Sequence, residues 1–449
     1  MVGLELKSNM IPPEIAAQSP PKLCNELPNA IPPPPPPEIS TASDEICAAY
    51  ESYLRLPEMK KIWGRTEFPG WKSEPVFKPA LVALEITFRF MSTVFSDPRP
   101  YADRREWRRR VEALAADEVE IIALLCEADE EDSETRRNMP VVDLSSAGGV
   151  LARENSAAEV WRREDDTVVV SQVSRASLLP RLASWPKLES AARKIQFSIE
   201  CRMLGCPYTL GLGEPNLSGK PSLNYDAICK PSEVHALKRC RNDDVEAVNL
   251  ENQTVYTTHQ ILESWIAVAG EVLARIADEI DRRRHDTAAI QCWILEKVWR
   301  IISKIEDLHL LMDPDDFLRL KKQLTMKSEL FCFRSRGLVG ITRLSKDLKH
   351  KVPEVLEVEV DPSGGPRVQE AAMELYRRKE EFAKIQLFQA MQAVEAAVKR
   401  FYFGYKQVVT AVMGSLAASG GSEDLVSQIF LEMTYFPSLD AAKTFLGEM

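Results

Sequence analysis

The chain has 449 residues, enough for two or three domains and a large core. Its 45% hydrophobic and 28% charged residues suit a water-soluble globular protein, and a formal net charge of −10 argues against general nucleic-acid binding, which rests on phosphate neutralisation by Lys and Arg. The start, MVGLELKSNM, lacks the apolar region of a signal peptide, Val2 excludes N-myristoylation, and no apolar window is long enough for a membrane span. Nine cysteines with no CxxC pair predict reduced thiols, so the expected location is cytoplasm or nucleus. Glycine is scarce at 19 residues while Glu, Lys, Arg, Leu and Ala are plentiful, a balance that favours helix.

Residues 1–43 hold eleven of the 29 prolines, six of them consecutive at Pro32 to Pro37, and read as a disordered tail with a polyproline II segment. An N-terminal helical region is predicted over 44–204. Its first helix starts with Asp44 and Glu45 and is interrupted at Pro57. A second, Val76 to Phe95, is apolar almost all round and marks the centre of a bundle. A third runs from about Tyr101 to Cys126. The acidic run EADEEDSE opens a loop, 127–176, read as irregular and disordered, before helix resumes over 178–203. Residues 205–250 read as a connecting loop rich in Gly and Pro.

The C-terminal region, 251–449, is strongly helical. Leu262, Ile266, Ala269, Leu273, Ile276 and Ile280 step by four and three, and a similar rhythm runs from Ile290 to Met312. Asp313 and Pro314 suit a helix start. Val358 and Val360 alternate with Glu357 and Glu359, which predicts a short extended piece near 355–360. From Pro366 to Met413 the apolar stripe reads as one spine helix, roughly 70 Å long at about 1.5 Å per residue. The expected fold is an all-α multi-helix bundle.

Three patterns bear on chemistry. The stretch CPYTLGLGEPNLSGKP resembles a phosphate cradle, but five residues separate Gly213 from Gly219 where the motif has four, and Pro221 stands where a Mg²⁺-holding Ser or Thr is needed. It reads as a surface loop. Glu306, His309 and Asp313 share one helical face, and Glu-x-x-His is half of a di-iron site, which needs two such elements and two further Glu. There is no second copy. His259 and Glu263 lie at i and i+4, with His259 in the apolar stripe of Leu262 and Ile266, so core histidines are expected and no metal or cofactor. An enzyme or small-ligand receptor built around Glu306 and His309 is the alternative. Arg104, Arg105, Arg108, Arg109 and Arg110 surround Trp107; the spacing predicts a solvated helix face with Trp107 inward, and makes these arginines the candidate contact for an acidic partner.

The stretches STASDEICAAYESYLRLPEMKKIW, FPGWKSEPVFKPALVALEITFR, YTLGLGEPNLSGKPSLNYDAICKP, IEDLHLLMDPDDFLRLKKQL and YFPSLDAAKTFLGEM resemble the plant HSPRO, or nematode-resistance-protein-like, family. The resemblance covers nearly the whole chain after the tail. It implies an N-terminal and a C-terminal region and a role in defence against nematodes and bacteria, with stress and salicylate responses. It also implies contact with regulatory subunits of the plant energy-sensing kinase related to the yeast sucrose-non-fermenting kinase. No catalytic residue is implied. The expectation is a non-catalytic adaptor that binds proteins.

Overall fold

The computed structural model describes residues 44–66, 73–96, 103–131, 161–164, 167–170, 229–238, 250–314, 317, 335–359, 365–414 and 429–447. The expectations for the proline tail, for helix over 178–203 and for the Gly/Pro stretch 206–221 lie outside these residues. Helix dominates, as composition predicts. The elements are α1 (Asp44–Tyr53), α2 (Leu56–Trp63), α3 (Glu74–Ser96), α4 (Arg104–Glu131), β1 (Trp161–Glu164), β2 (Thr167–Val170), α5 (Pro231–Ala236), α6 (Leu250–Asp281), α7 (His285–Glu306), α8 (Arg336–Asp347), α9 (Val352–Val355), α10 (Pro366–Arg378), α11 (Phe382–Met413) and α12 (Pro437–Leu446). The two strands pair only with each other, antiparallel, within the acidic stretch read as irregular; α4 also runs into that stretch. Among the described residues, no helix is long and apolar enough to cross a membrane.

Residues 41–449 form one compact unit. Helix α7 lies against α11 and α6, α6 against α3, and α4 bridges α3 and α7. Helices from both sides of the Gly/Pro stretch thus build one core. The reason is visible in α3: Val76, Phe77, Leu81, Leu84, Phe88 and Val94 are all at most 1% exposed, so every side of this helix needs cover. Helices α7 and α11 run in the same direction, with His285 beside Lys384, Trp299 beside Phe401 at 5.5 Å between ring centroids, and Glu306 beside Val408.

Two features differ from the sequence reading. The 366–413 spine is two helices. Lys379 takes left-handed backbone angles (φ 53°, ψ 29°) and its N–H returns to Leu375 O, a C-cap that stops α10 before the charged run at 379–381. Helix α11 therefore spans about 48 Å, and α10 packs on α12 instead. Phe382, which falls within the apolar pattern of 366–413, starts the new helix and is 61% exposed. The extended piece near 355–360 is not a strand where it is described. Pro353 opens the short helix α9, whose Val352, Pro353 and Val355 are buried, and Glu357 ends the turn at φ 59°. Pro57 also acts as a starter, in the first turn of α2 after Arg55 at φ 54°.

Candidate functional site

Glu306 is the last residue of α7. The chain then tightens into a 3-10 turn, Asp307–Leu311, and Met312 is extended (φ −88°, ψ 153°). This keeps Glu306 and His309 together, 2% and 3% exposed, with His309 Nδ1 2.8 Å from Glu306 Oε2. It also separates them from Asp313, which lies past the extended residue and is exposed, so the three-residue face read from sequence is a pair. A second histidine arrives from α6. The His259 ring is 5.1 Å from His309 between centroids, and its other neighbours include Tyr50, edge-on at 5.8 Å. Phe317 stands edge-on to His309 at 5.2 Å.

Beside the pair is a cavity of about 10 Å³, lined by Phe317, Tyr405, Val408, Val409 and Val412. That is space for about one water molecule. Glu306 Oε1 and His309 Nε2 make no hydrogen bond among the described residues. Among those residues, no group of three or more His, Cys, Asp or Glu is disposed to hold a metal ion.

One turn along α6 from His259, Glu263 is also buried. Burial pushes its carboxyl up to about 7, against the opposing effect of hydrogen bonds from Ser335 and Tyr50. Ser335 caps α8, accepting from Leu338 N–H at 3.0 Å. The close approach of α8 depends on Gly337: a Cβ there would lie 2.7 Å from Ile266 Cγ2 and 3.5 Å from Glu263 Oε2. A third buried carboxylate, Glu118 on α4, accepts from Thr87 Oγ1 at 2.9 Å and Trp265 Nε1 at 2.8 Å. Desolvation pushes its carboxyl up to about 8, against the opposing effect of those two hydrogen bonds. Acidic residues on amphipathic helices are usually solvated, and nothing in the spacing singled out Glu118.

Among the described residues, a buried polar seam joins the two halves of the chain. Arg89 on α3 donates to Val234 O at 3.1 Å and Gln260 Oε1 at 3.2 Å. Gln260 donates to Leu54 O, Leu237 O and Tyr256 Oη, and Tyr256 donates to Leu237 O. The short helix α5, unforeseen in the sequence, is held here; Arg55 donates to Ala236 O and Arg65 pairs with Glu233 at 2.7 Å. Burial lowers the Arg89 pKa to about 10, which leaves it charged.

The arginine-rich start of α4 is a solvated face with Trp107 turned inward against Phe90, at 5.6 Å. Much of its charge is balanced locally. Arg108 pairs with Glu112 at 2.9 Å, while Arg109 and Arg110 both reach Glu106, at 2.6 and 2.7 Å. Those hydrogen bonds hold the Glu106 carboxyl down to about 2. Arg110 also donates to Asp307 O at 2.8 Å and so steadies the 3-10 turn that carries His309. Arg104 and Arg105 are exposed at the outer end.

A helical core with buried polar groups from both halves of the chain is the architecture in which the sequence comparisons take on meaning. Residues 1–200 match the Hs1pro-1 N-terminus and residues 203–449 the Hs1pro-1 protein C-terminus. The chain belongs to this family. It is 49% identical over 461 residues to the nematode resistance protein-like HSPRO2 of Arabidopsis thaliana, covering 100% of this chain and 99% of the relative. It is 47% identical over 459 residues to nematode resistance protein-like HSPRO1 of the same plant, with the same coverage.

Proposed function

We propose that the chain is a non-catalytic regulatory protein of plant defence, as the names of its relatives suggest, and that it works by binding other proteins. The observation that carries this reading is the use made of its best acid–base candidates. Glu306 and His309 face each other in the core beside a space that, among the described residues, fits about one water molecule and leaves little room for a substrate of ordinary size. The partners we assign are regulatory subunits, of β or γ type, of the plant energy-sensing kinase. Arg104, Arg105, Arg108 and Arg109 are the side chains offered to an acidic surface; Arg110 is occupied in holding Asp307.

The test is equilibrium binding of the full chain to the purified regulatory subunit at physiological salt. Saturable binding at micromolar affinity or tighter is expected, weakened when Arg105 and Arg109 are both changed to Glu. Absence of binding between two folded proteins would remove the kinase from the reading. A small-ligand receptor is the second reading, favoured by Glu306 Oε1 and His309 Nε2, which are buried at the cavity's edge without a hydrogen bond among the described residues; a ligand there would have to widen a space that now fits about one water molecule. A neutral small molecule that raises Tm in the full chain but not in His309→Gln would move the weight to it.

A further inference from the structure

The connection that leads into α12 carries an arrangement the adaptor reading does not use. Ile429, Tyr435 and Phe436 are buried, at 4%, 3% and 2% exposure, and anchor the two ends of the segment. Between them Leu431 is 74% and Met433 84% exposed. Apolar side chains in a loose loop would need no explanation. This segment, helical at 429–431, is tied down. Lys399 of α11 donates to Glu432 O at 3.0 Å and Met433 O at 3.2 Å. Lys346 of α8 bonds the Glu432 carboxylate at 2.8 Å. Glu395 of α11 accepts from Tyr435 N–H at 2.9 Å and from the Thr434 hydroxyl at 3.2 Å, and is itself paired with Lys399 at 2.7 Å. Both lysines also lie over the Tyr435 ring, at 5.5 and 4.9 Å. Within this segment Phe430 meets Phe403 of α11 edge-on at 5.5 Å, and Phe403 is 51% exposed.

We infer that Leu431, Met433 and Phe403 form a docking knob for a partner protein that offers an apolar pocket edged with Asp or Glu side chains. The inference rests on the adaptor reading and gives it a surface. Three arguments carry it. Large apolar side chains held in fixed positions bind without the usual ordering cost, which is how interface anchors gain most of their effect. Two helices use ion pairs to hold a backbone whose main product is the outward display of two apolar residues; the core gains nothing from Leu431 or Met433. The surroundings are basic in an acidic chain: Glu432 and Glu395 balance Lys346 and Lys399, while Arg343 and Arg400 are exposed and make no ion pair among the described residues. Arg400 lies one helical turn from Phe403. A bilayer is the poorer fit, because the lysines nearest the knob are already committed to carboxylates and two aliphatic tips give little insertion.

A photo-reactive amino acid is placed in the full chain at position 431, at 433 and, for comparison, at 105, and cross-linked proteins are identified in plant cells. Each captured protein is purified and its affinity measured for the unmodified chain, for Leu431→Asp and for Met433→Asp. Both substitutions are at exposed sites and should leave Tm within a degree or two. The expected result is a protein captured at 431 or 433 whose binding weakens about 30-fold or more in either variant, and which weakens again when its own acidic rim is neutralised. Capture at 105 alone, or a partner indifferent to both Asp variants, overturns the knob and leaves the adaptor reading intact. Capture at none of the three positions counts against both. Cross-links to a second copy of this chain, or binding to anionic vesicles abolished by the same variants, would also overturn it.

Discussion

Two sets of charged side chains on the long helices are handled in opposite ways. In the seam between α3, α4 and α6, Arg89 and Glu118 are buried and their hydrogen bonds go to neutral groups: peptide carbonyls, an amide, a hydroxyl and an indole, with Glu118 Oε2 left without a partner among the described residues. On α11, the buried Glu395 and the partly exposed Lys399 are paired with each other and with the connection to α12. The first arrangement makes the join of the two halves sensitive to pH and intolerant of deletion. The second uses opposite charges, one of them buried, to fix a short segment.

The sharpest way to break this contrast is at Arg89. Arg89→Ala leaves Val234 O and Gln260 Oε1 without their donor in the interior, so a loss of about 3 kcal/mol or more is expected in urea unfolding. A loss below about 1 kcal/mol would mean that water reaches the seam.

Glu118 gives the next effect, with a defined sign. Its folded pKa is raised from 4.5 to about 8, so its contribution is fully present below about pH 4.5 and is lost as pH rises through about 8. Wild-type stability should therefore fall between pH 5 and pH 8 by about 2–3 kcal/mol more than that of Glu118→Gln. Glu263, raised to about 7, adds to the same fall in both proteins. Parallel pH profiles would show Glu118 to be solvated.

Gly337→Ala should cost about 1–2 kcal/mol by thermal unfolding, because its Cβ would meet Ile266 and α8 must move away from α6. The smallest global change belongs to Glu395→Gln. Gln keeps an acceptor for Tyr435 N–H and loses only the charge pairing with the partly exposed Lys399, so stability should drop by about 1 kcal/mol, while amide exchange at Tyr435 and its neighbours speeds up severalfold. An unchanged exchange rate would show that the ion pairs are not what holds this segment.

The all-α architecture was legible because an apolar stripe at helical spacing has one economical solution, burial on a neighbouring helix. The core position of Glu306 and His309 and the inward turn of Trp107 followed from the same periodicity. Three things were not legible. The break at Lys379 depends on a left-handed residue in a charged run that contains neither Gly nor Pro. The approach of His259 to His309 joins two helices through tertiary packing, which spacing within either helix does not encode. The seam of Arg89, Gln260 and Tyr256 uses residue types that are ordinary on helix surfaces, and only the fold reveals that they are inside.

The seam also sets a timetable. Arg89 finds its partners 145 and 171 residues further along the chain, and Glu118 meets Trp265 across 147. Helix α3, apolar on every side, emerges from the ribosome long before α6 exists to cover it. During synthesis, the first half must wait with its oiliest helix unsheltered. The chain should therefore lean on chaperones at that stage, and a half-length fragment would report on clumping more than on recognition.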